Sequence, residues 1–562
     1  MADVHALIDS ARTWIAADPS EADRAELEDL LTKVASGEGD ALIDLEDRFA
    51  GTLEFGTAGL RGEMAAGPNR MNVAVVRRAA AGLVAWLTDK VASDPVVVVG
   101  FDARYHSNEF ARDTAAIVQA AGGRALVMPS ALPTPLLAYA VRALGADAGV
   151  MVTASHNPPK DNGYKVYLGG RSVEDVGNGV QIISPVDAEI AAKIAEAPAA
   201  NEVPMAEGWE VLDESIVDEY IADTLAVTPA GPRDLKIVYT AMHGVGNSLV
   251  EPLLRLAGFT DVVPVDSQIS PDPDFPTVAF PNPEEDGALD EAIATAERVG
   301  ADIIIASDPD ADRCSAAIVT DEGWRQLSGD EIGSILGEQV ASETAAEGRS
   351  GTLASSIVSS QLLEQIATHH GLNYSSTLTG FKWIARAPEI IFGYEEAIGF
   401  CVHPELVKDK DGVSAALTIA TTAAAAKAQG YSLQDKLDEL ALRHGVYHTA
   451  PVTVRVDDLS IMPATMAKVR ATPPTELIGI PVAQVDDLAQ GSADLPPTDA
   501  LRIVTAEGDR VIVRPSGTEP KVKCYLEVIV PVASAEQLPQ AKVAAAQRME
   551  RFKADVSKML TL

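Results

Sequence analysis

At 562 residues the chain exceeds the size at which one hydrophobic core keeps growing, so several domains are expected, with 47% hydrophobic residues to fill them. A net charge of −38 argues against nucleic acid and anionic membrane as partners, because both would repel it. Cys314, Cys401 and Cys524 lack any metal-binding spacing and fit reduced thiols in a cytoplasmic protein, and no apolar stretch reaches the roughly 18 residues of a membrane span.

Residues 2–49 read as a helical extension whose first part is acidic and amphipathic, unlike a secretory signal or a transit peptide. A βαβ rhythm follows. A strand is expected over 96–100, then a helix capped by Ser107 with Phe110, Thr114, Ile117 and Ala121 on one face. Gly122-Gly123 ends that helix before a strand over 125–128, and the apolar run 148–152 supplies another strand. The second cycle opens over 235–240 and closes with a helix over 288–299, stopped by Gly300, before a buried strand over 302–306. A third runs through 351–358, a helix over 361–370 and a strand ending at Phe392. The last part differs. There 452–456, 501–505, 511–514 and 522–530 alternate as antiparallel strands around a Gly508-Asp509 turn, and a helix over 533–559 follows. The expected fold class is α/β: three parallel α/β domains over residues 1–212, 213–321 and 322–445, and a fourth, α+β, over 446–562.

Four segments carry chemistry. Thr153-Ala154-Ser155-His156-Asn157-Pro158-Pro159 follows the strand at 148–152, and its prolines stop that strand. Ser155 is then a candidate nucleophile beyond a strand's carboxyl end, with His156 beside it and Lys165 a little further on. A surface turn is the plain alternative, since Ser, Asn and Pro are ordinary turn residues. The second segment, Asp308-Pro309-Asp310-Ala311-Asp312-Arg313, crowds three carboxylates at a strand end. A divalent cation is the usual way to hold such a group together, and hard oxygen ligands favour Mg²⁺ or Ca²⁺. An EF-hand would need Gly where Arg313 stands and Glu where Val319 stands. A solvated acidic turn is the other reading.

The third segment is Arg514-Pro515-Ser516-Gly517-Thr518-Glu519-Pro520-Lys521. A guanidinium, two hydroxyls and a glycine turn make a phosphate cradle, to which Lys521 or Lys523 adds charge; a hairpin turn with an exposed Arg is the alternative. In the fourth, Gly393-Tyr394-Glu395-Glu396-Ala397-Ile398-Gly399, paired carboxylates suit sugar hydroxyls, or equally a helix N-terminus.

In this order the four segments resemble the α-D-phosphohexomutase family, which includes phosphoglucomutases and phosphomannomutases. Residues 55–62, Phe-Gly-Thr-Ala-Gly-Leu-Arg-Gly, and 378–382, Leu-Thr-Gly-Phe-Lys, add to the resemblance, which runs from about Gly51 onward. It implies four domains around a central cleft and a phosphoglucomutase that moves a phosphoryl group between C1 and C6 of glucose. Ser155 would carry the stored phosphoryl group, and Asp308, Asp310 and Asp312, with phosphorylated Ser155, would bind Mg²⁺. Lys165 is the implied general base, its pKa lowered by burial beside Mg²⁺ and Arg313, and His156 would either assist or make only a structural hydrogen bond. Thr57, Arg61, Arg313, Thr379, Gly380, Glu395, Glu396, Lys410, Arg514, Ser516, Gly517 and Thr518 would bind the sugar phosphate. Glucose 1,6-bisphosphate is the expected intermediate and activator, a small sugar phosphate the partner, and a monomer or dimer the assembly.

One departure bears on the sugar. Where glucose-devoted members commonly show a serine after the paired glutamates, Ala397 stands here, as in a longer branch that holds both phosphoglucomutases and phosphopentomutases. Mannose and pentose phosphates are therefore the alternatives to glucose. A haloacid-dehalogenase-type phosphatase would use Asp308 as nucleophile and Asp310 as acid, but would normally place Thr or Val at Asp312 and leaves the Ser155 loop unexplained. A non-catalytic sugar or Ca²⁺ binder leaves the phosphate cradle unexplained.

Overall fold

The structure, a computed structural model, describes residues 4–56, 59–91, 93–455, 461–492, 495–515 and 521–560. The chain divides into two compact units, Met1–Gln326 with Gly399–Thr421, and Leu327–Ile398 with Thr422–Leu562.

The first unit opens with three helices, Val4–Ala17, Glu21–Ala35 and Gly39–Arg48, which form the expected extension. Their apolar stripes close on a small core of Ala11, Leu27, Leu30, Ala41 and Leu45. In the following sheet Val96–Phe101 lies between Arg124–Val127 and Ala148–Val152, parallel to both. Val97, Val98 and Val99 are fully buried, as a parallel strand covered by helices on both faces requires. The helix Ser107–Ala120 forms as expected, but its N-cap is His106. Ser107 instead turns its hydroxyl onto Asp102 Oδ1 at 2.7 Å. The second sheet places Ile237–Thr240 between Val262–Pro264 and Ile303–Ser307, again parallel to both, and Gly300 ends the helix Asp290–Val299 at φ 66°.

Beside the expected parallel strands, both sheets also carry antiparallel ones. Ala148–Val152 passes through residues 153–160 into Asp161–Leu168, which returns antiparallel with Lys165 opposite Met151. Ile303–Ser307 passes through 308–313 into Cys314–Thr320 in the same way. A parallel partner needs a crossover of about a dozen or more residues, so connections this short can only fold back. The serine and acidic segments are therefore tips between two strands, gripped from both sides.

In the second unit Thr352–Ser356 pairs parallel with Asn373–Thr377 and Ile390–Glu395. The C-terminal sheet is antiparallel throughout, in the order Val446–Arg455, Lys521–Val530, Arg510–Pro515, Leu501–Thr505, Ile480–Asp487, Glu476–Leu477. The helix Leu538–Leu560 covers it through Ala545, Met549, Phe552 and Val556. Ile480–Asp487 was not expected. It lies near the sheet edge, mostly exposed, and lacks the buried alternation that marks a strand. Among the described residues no helix is long and apolar enough to cross a membrane. The three cysteines are free and buried.

Candidate active site

In the first unit the serine loop is shaped by its own polar groups. Thr153 Oγ1 accepts the Ser155 amide at 2.9 Å, and Ser155 adopts φ 51°, a left-handed conformation uncommon outside glycine. The buried Arg104 guanidinium holds that turn. Its Nη2 donates to the carbonyls of Ser155 and Asn157, both at 2.6 Å, and its Nη1 to those of Pro158 and Asp161 at 2.8 and 3.0 Å. Arg61 donates to Asn157 Oδ1 at 3.1 Å from the other side.

The acidic loop is fixed with equal care. Ala311 at φ 52° turns it, and the Arg313 amide donates to Asp308 Oδ1 at 3.0 Å. Its backbone is approached so closely that side chains are excluded nearby. A Cβ on Gly244 would lie 2.3 Å from Pro309 Cα, and one on Gly412 2.2 Å from the Arg313 carbonyl oxygen. Val245 N donates to the Pro309 carbonyl at 2.8 Å, and Thr134 N to that of Asp310 at 2.9 Å.

These two loops meet. Ser155, 3% exposed, donates from Oγ to Asp308 Oδ2 at 2.6 Å, and its oxygen lies 3.3 Å from His156 Nδ1. Asp308, Asp310 and Asp312 are fully buried and present oxygens within 4.8 Å of one another. Lys165 Nζ bridges Asp310 Oδ2 and Asp312 Oδ2 at 2.8 and 2.9 Å, Lys410 Nζ reaches Asp312 Oδ2 at 2.5 Å, and Thr134 Oγ1 donates to Asp310 Oδ2 at 2.7 Å. Arg313 Nε stands 3.8 Å from Asp312 Oδ1. Lys410 belongs to a segment anchored by Asp409, which accepts from Tyr167 at 2.6 Å, and by Asp411, which accepts from Tyr220 at 2.9 Å.

The charges sort accordingly. Burial and the neighbouring Asp310 and Asp312 push the Asp308 carboxyl well above its ordinary range. Burial also opposes ionisation of Asp310, but Lys165 outweighs it and holds that carboxyl low. His156 is pulled well below the usual imidazole range by burial and by Arg313 and Arg61, so its ring is neutral. Burial depresses Lys165 too, yet the carboxylates of Asp310 and Asp312 win and raise it above an ordinary lysine. This reverses the lowered value expected from the sequence, which gave no sign that two carboxylates of the acidic loop turn onto this amine.

The donor set fits a hard divalent cation. Asp310 Oδ1 and Asp312 Oδ1 are buried carboxylate oxygens with no hydrogen-bond partner among the described residues.

In the second unit Glu395 ends the strand Ile390–Glu395, and Glu396 follows. Ser356 and Ser359 donate to Glu396 Oε2, each at 3.1 Å, and Ser359 Oγ accepts the Glu396 amide at 3.1 Å. Burial, then Glu395 and Asp330, push the Glu396 carboxyl up to about 7. Thr379 and Gly380, the latter at φ 110°, lead into the short helix Phe381–Ile384. Arg514 sits near the end of Arg510–Pro515 directly across from Lys523. Tyr525 lies on the same strand as Lys523, Lys521–Val530; burial and then Glu396 raise its hydroxyl above the ordinary phenol range, while Arg514 lowers it. Thr57, Ser516, Gly517 and Thr518 lie outside the described residues.

Sequence reasoning did not assign Thr134, Ser356, Ser359 or Tyr525, and counted Arg104 only among the cations that lie in or beside the motifs. Arg104 lies three residues beyond the strand Val96–Phe101, the strand-end placement used to find Ser155 and Asp308. Ser356 ends the strand Thr352–Ser356 and Ser359 lies three residues beyond it, so the same placement points to both; Tyr525, inside Lys521–Val530, carries no such signal.

Profiles described as phosphoglucomutase/phosphomannomutase alpha/beta/alpha domains I, II and III match residues 52–201, 218–322 and 328–443, and the C-terminal domain of that description matches 452–545. A Haemophilus influenzae protein named "Probable phosphomannomutase" is 44% identical over 462 residues, covering 81% of this chain and 93% of that one. A Saccharomyces cerevisiae phosphoribomutase is 35% identical over 565 residues, covering 86% and 87%. The crystal structure of a phosphoglucomutase/phosphomannomutase family protein from Burkholderia thailandensis shares the fold, with TM-score 0.67 at 20% identity over 90% of this chain and 97% of that one. Four domains matched in order, and a relative at 44% identity covered almost end to end, establish that the chain belongs to the phosphoglucomutase/phosphomannomutase family of phosphate-transferring, isomerase-type enzymes.

Proposed function

We propose that this chain is a cytoplasmic phosphoglucomutase, which interconverts glucose 1-phosphate and glucose 6-phosphate through a phosphoryl group stored on Ser155. The observation that carries the reading is the Ser155 hydroxyl, buried at a strained turn and 2.6 Å from an oxygen of a three-carboxylate loop. A serine placed there is held for in-line transfer and kept from water, which would otherwise hydrolyse its phosphoester. Asp308, Asp310 and Asp312 would hold Mg²⁺, which supplies charge screening for the transferring group.

The chain's own residues do the rest. Arg104 fixes the Ser155 backbone, and Arg61 and Arg313 offer guanidinium groups to phosphate oxygens. The neutral His156 Nδ1 is the nearest uncharged acceptor for the serine proton. Lys165 remains the candidate general base; its amine donates to Asp310 and Asp312, so it can take a proton only when those contacts are released. Glu395 and Glu396 hold sugar hydroxyls, while Arg514 with Ser516, Gly517 and Thr518 grips the phosphate that is not reacting. Glucose 1,6-bisphosphate is the intermediate, and it recharges Ser155 when added from outside.

Retention of Glu395-Glu396 favours glucose. Pentose phosphate is the second reading, favoured by Ala397 in place of a hydroxyl side chain and by the phosphoribomutase relative. Intact mass should reveal one phosphate on the purified protein, absent from Ser155→Ala. A rate panel of glucose, mannose, ribose and deoxyribose 1-phosphates should give glucose the highest kcat/KM. A tenfold preference for ribose or deoxyribose 1-phosphate replaces glucose by pentose, and a preference for mannose makes the enzyme a phosphomannomutase.

A further inference from the structure

We propose that Thr134 is a positioning residue that selects which oxygen of Asp310 faces the divalent cation; this rests on the reading of the acidic loop as a metal site. Thr134 is fully buried and begins the helix Thr134–Ala143, remote in sequence from the acidic loop. It makes two bonds to the same residue. Its amide, one of the donors a helix leaves unsatisfied at its start, meets the Asp310 carbonyl at 2.9 Å, and its hydroxyl meets Asp310 Oδ2 at 2.7 Å. Lys165 Nζ donates to that same Oδ2 at 2.8 Å. One oxygen of the carboxylate is thus held by two donors, and the other, Oδ1, is buried with no partner among the described residues.

Asp312 repeats the arrangement. Lys165 and Lys410 occupy its Oδ2, and Oδ1 is again without a hydrogen-bond partner. A buried carboxylate oxygen without a hydrogen bond is costly, and two of them on one loop, one with only Arg313 Nε at 3.8 Å, make sense when a cation completes them. For Asp312 both clamps are charged amines, which the cation itself repels. For Asp310 one clamp is a neutral hydroxyl, which keeps its grip when the cation arrives. Thr134 is accordingly the clamp that a metal ion leaves in place, and Asp310 the carboxylate whose orientation survives metal exchange.

The test uses the full chain stripped of metal, with Mn²⁺ binding followed by electron paramagnetic resonance of the free ion. Thr134→Val keeps the shape and removes the donor, and should weaken Mn²⁺ about 10- to 100-fold, the usual effect of losing a partner of a metal ligand. Thr134→Ser restores the hydroxyl and should return affinity to within a few-fold of wild type. Should Thr134→Val fail to fold, Thr134→Ala removes the hydroxyl without adding an apolar branch and is read in the same assay. Hydroxyl-free variants that bind Mn²⁺ like wild type, with only the melting temperature lowered, reduce Thr134 to a structural residue at the helix start and overturn the proposal. A wild-type protein that binds no Mn²⁺ overturns the metal reading itself, a different failure.

Discussion

Around Ser155 opposite charges interlock: three buried carboxylates meet Lys165, Lys410 and Arg313, with contacts from 2.5 to 4.0 Å. In the second unit like charges stand side by side, Arg514 across from Lys523 and Glu395 next to Glu396. The two arrangements serve different needs. A group that must hold a reactive serine in one geometry gains from charges that fix each other before the transfer. On the proposed reading the second region is the surface for a phosphate dianion, which would bring negative charge to these neighbouring cations. On that reading the first arrangement works where small displacements matter, and the second works as a grip.

The strongest attempt to break this contrast removes the nucleophile. Ser155→Ala should abolish turnover and the protein-bound phosphate while sugar-phosphate binding, measured by calorimetry, persists through the second unit. Near-normal mutase rates would remove the reason for separating the two regions. Asp310→Ala comes next. It leaves Lys165 with one carboxylate and a cation short of a ligand, so turnover should fall by several orders of magnitude and added Mg²⁺ should not restore it. An unchanged Mg²⁺ titration of activity would count against the interlocked view.

Arg514→Lys tests the grip. It keeps the charge and loses the two-point geometry, worth about 1.5–3 kcal/mol, so KM should rise about 10- to 100-fold. Escape of the bisphosphate should also make the variant dependent on added glucose 1,6-bisphosphate. Wild-type rates without it would make Arg514 an ordinary strand residue.

The smallest effect concerns stability. Glu396 titrates near 7 in the folded chain, above the ordinary glutamate value near 4.5. The folded state therefore holds a proton that the unfolded state has released. The stabilisation is fully present below about pH 4.5 and is lost as pH rises through about 7. Since the side chain keeps some contact with water, the loss should be on the order of 2 kcal/mol. Glu396→Gln should show a melting temperature flatter than wild type between pH 5 and 8. Parallel curves would place the titrating group elsewhere.

The two segments of the first unit were legible because tight turns concentrate unusual residues: prolines after Ser155, and three carboxylates within five positions at Asp308. What surrounds them was not. The sequence placed Lys165 near the serine loop, yet only the register of Asp161–Leu168 against Ala148–Val152 turns its amine toward Asp310 and Asp312. Lys410 was expected beside the sugar phosphate, and it also clamps Asp312. That contact joins residues far apart in sequence, and no local pattern encodes it. The α/β alternation was readable from apolar runs and glycine stops such as Gly300. The antiparallel returns after Val152 and Ser307 followed from connection length, a cue left unused, and Ile480–Asp487 escaped because its burial is slight.

Because the stretch Gly399–Thr421 belongs with Met1–Gln326, the first unit cannot finish folding when its first 326 residues leave the ribosome. Asp312 waits for Lys410, roughly 100 residues later, which at a synthesis rate of about 5–20 residues per second is about 5–20 s. Over that interval the nascent acidic loop has only one of its two lysine amines. Gene fragments cut at residue 326 inherit the same deficit permanently. Supplying the remainder as a separate polypeptide is the remedy, and a split enzyme of this kind would report, through recovered activity, when its two pieces have met.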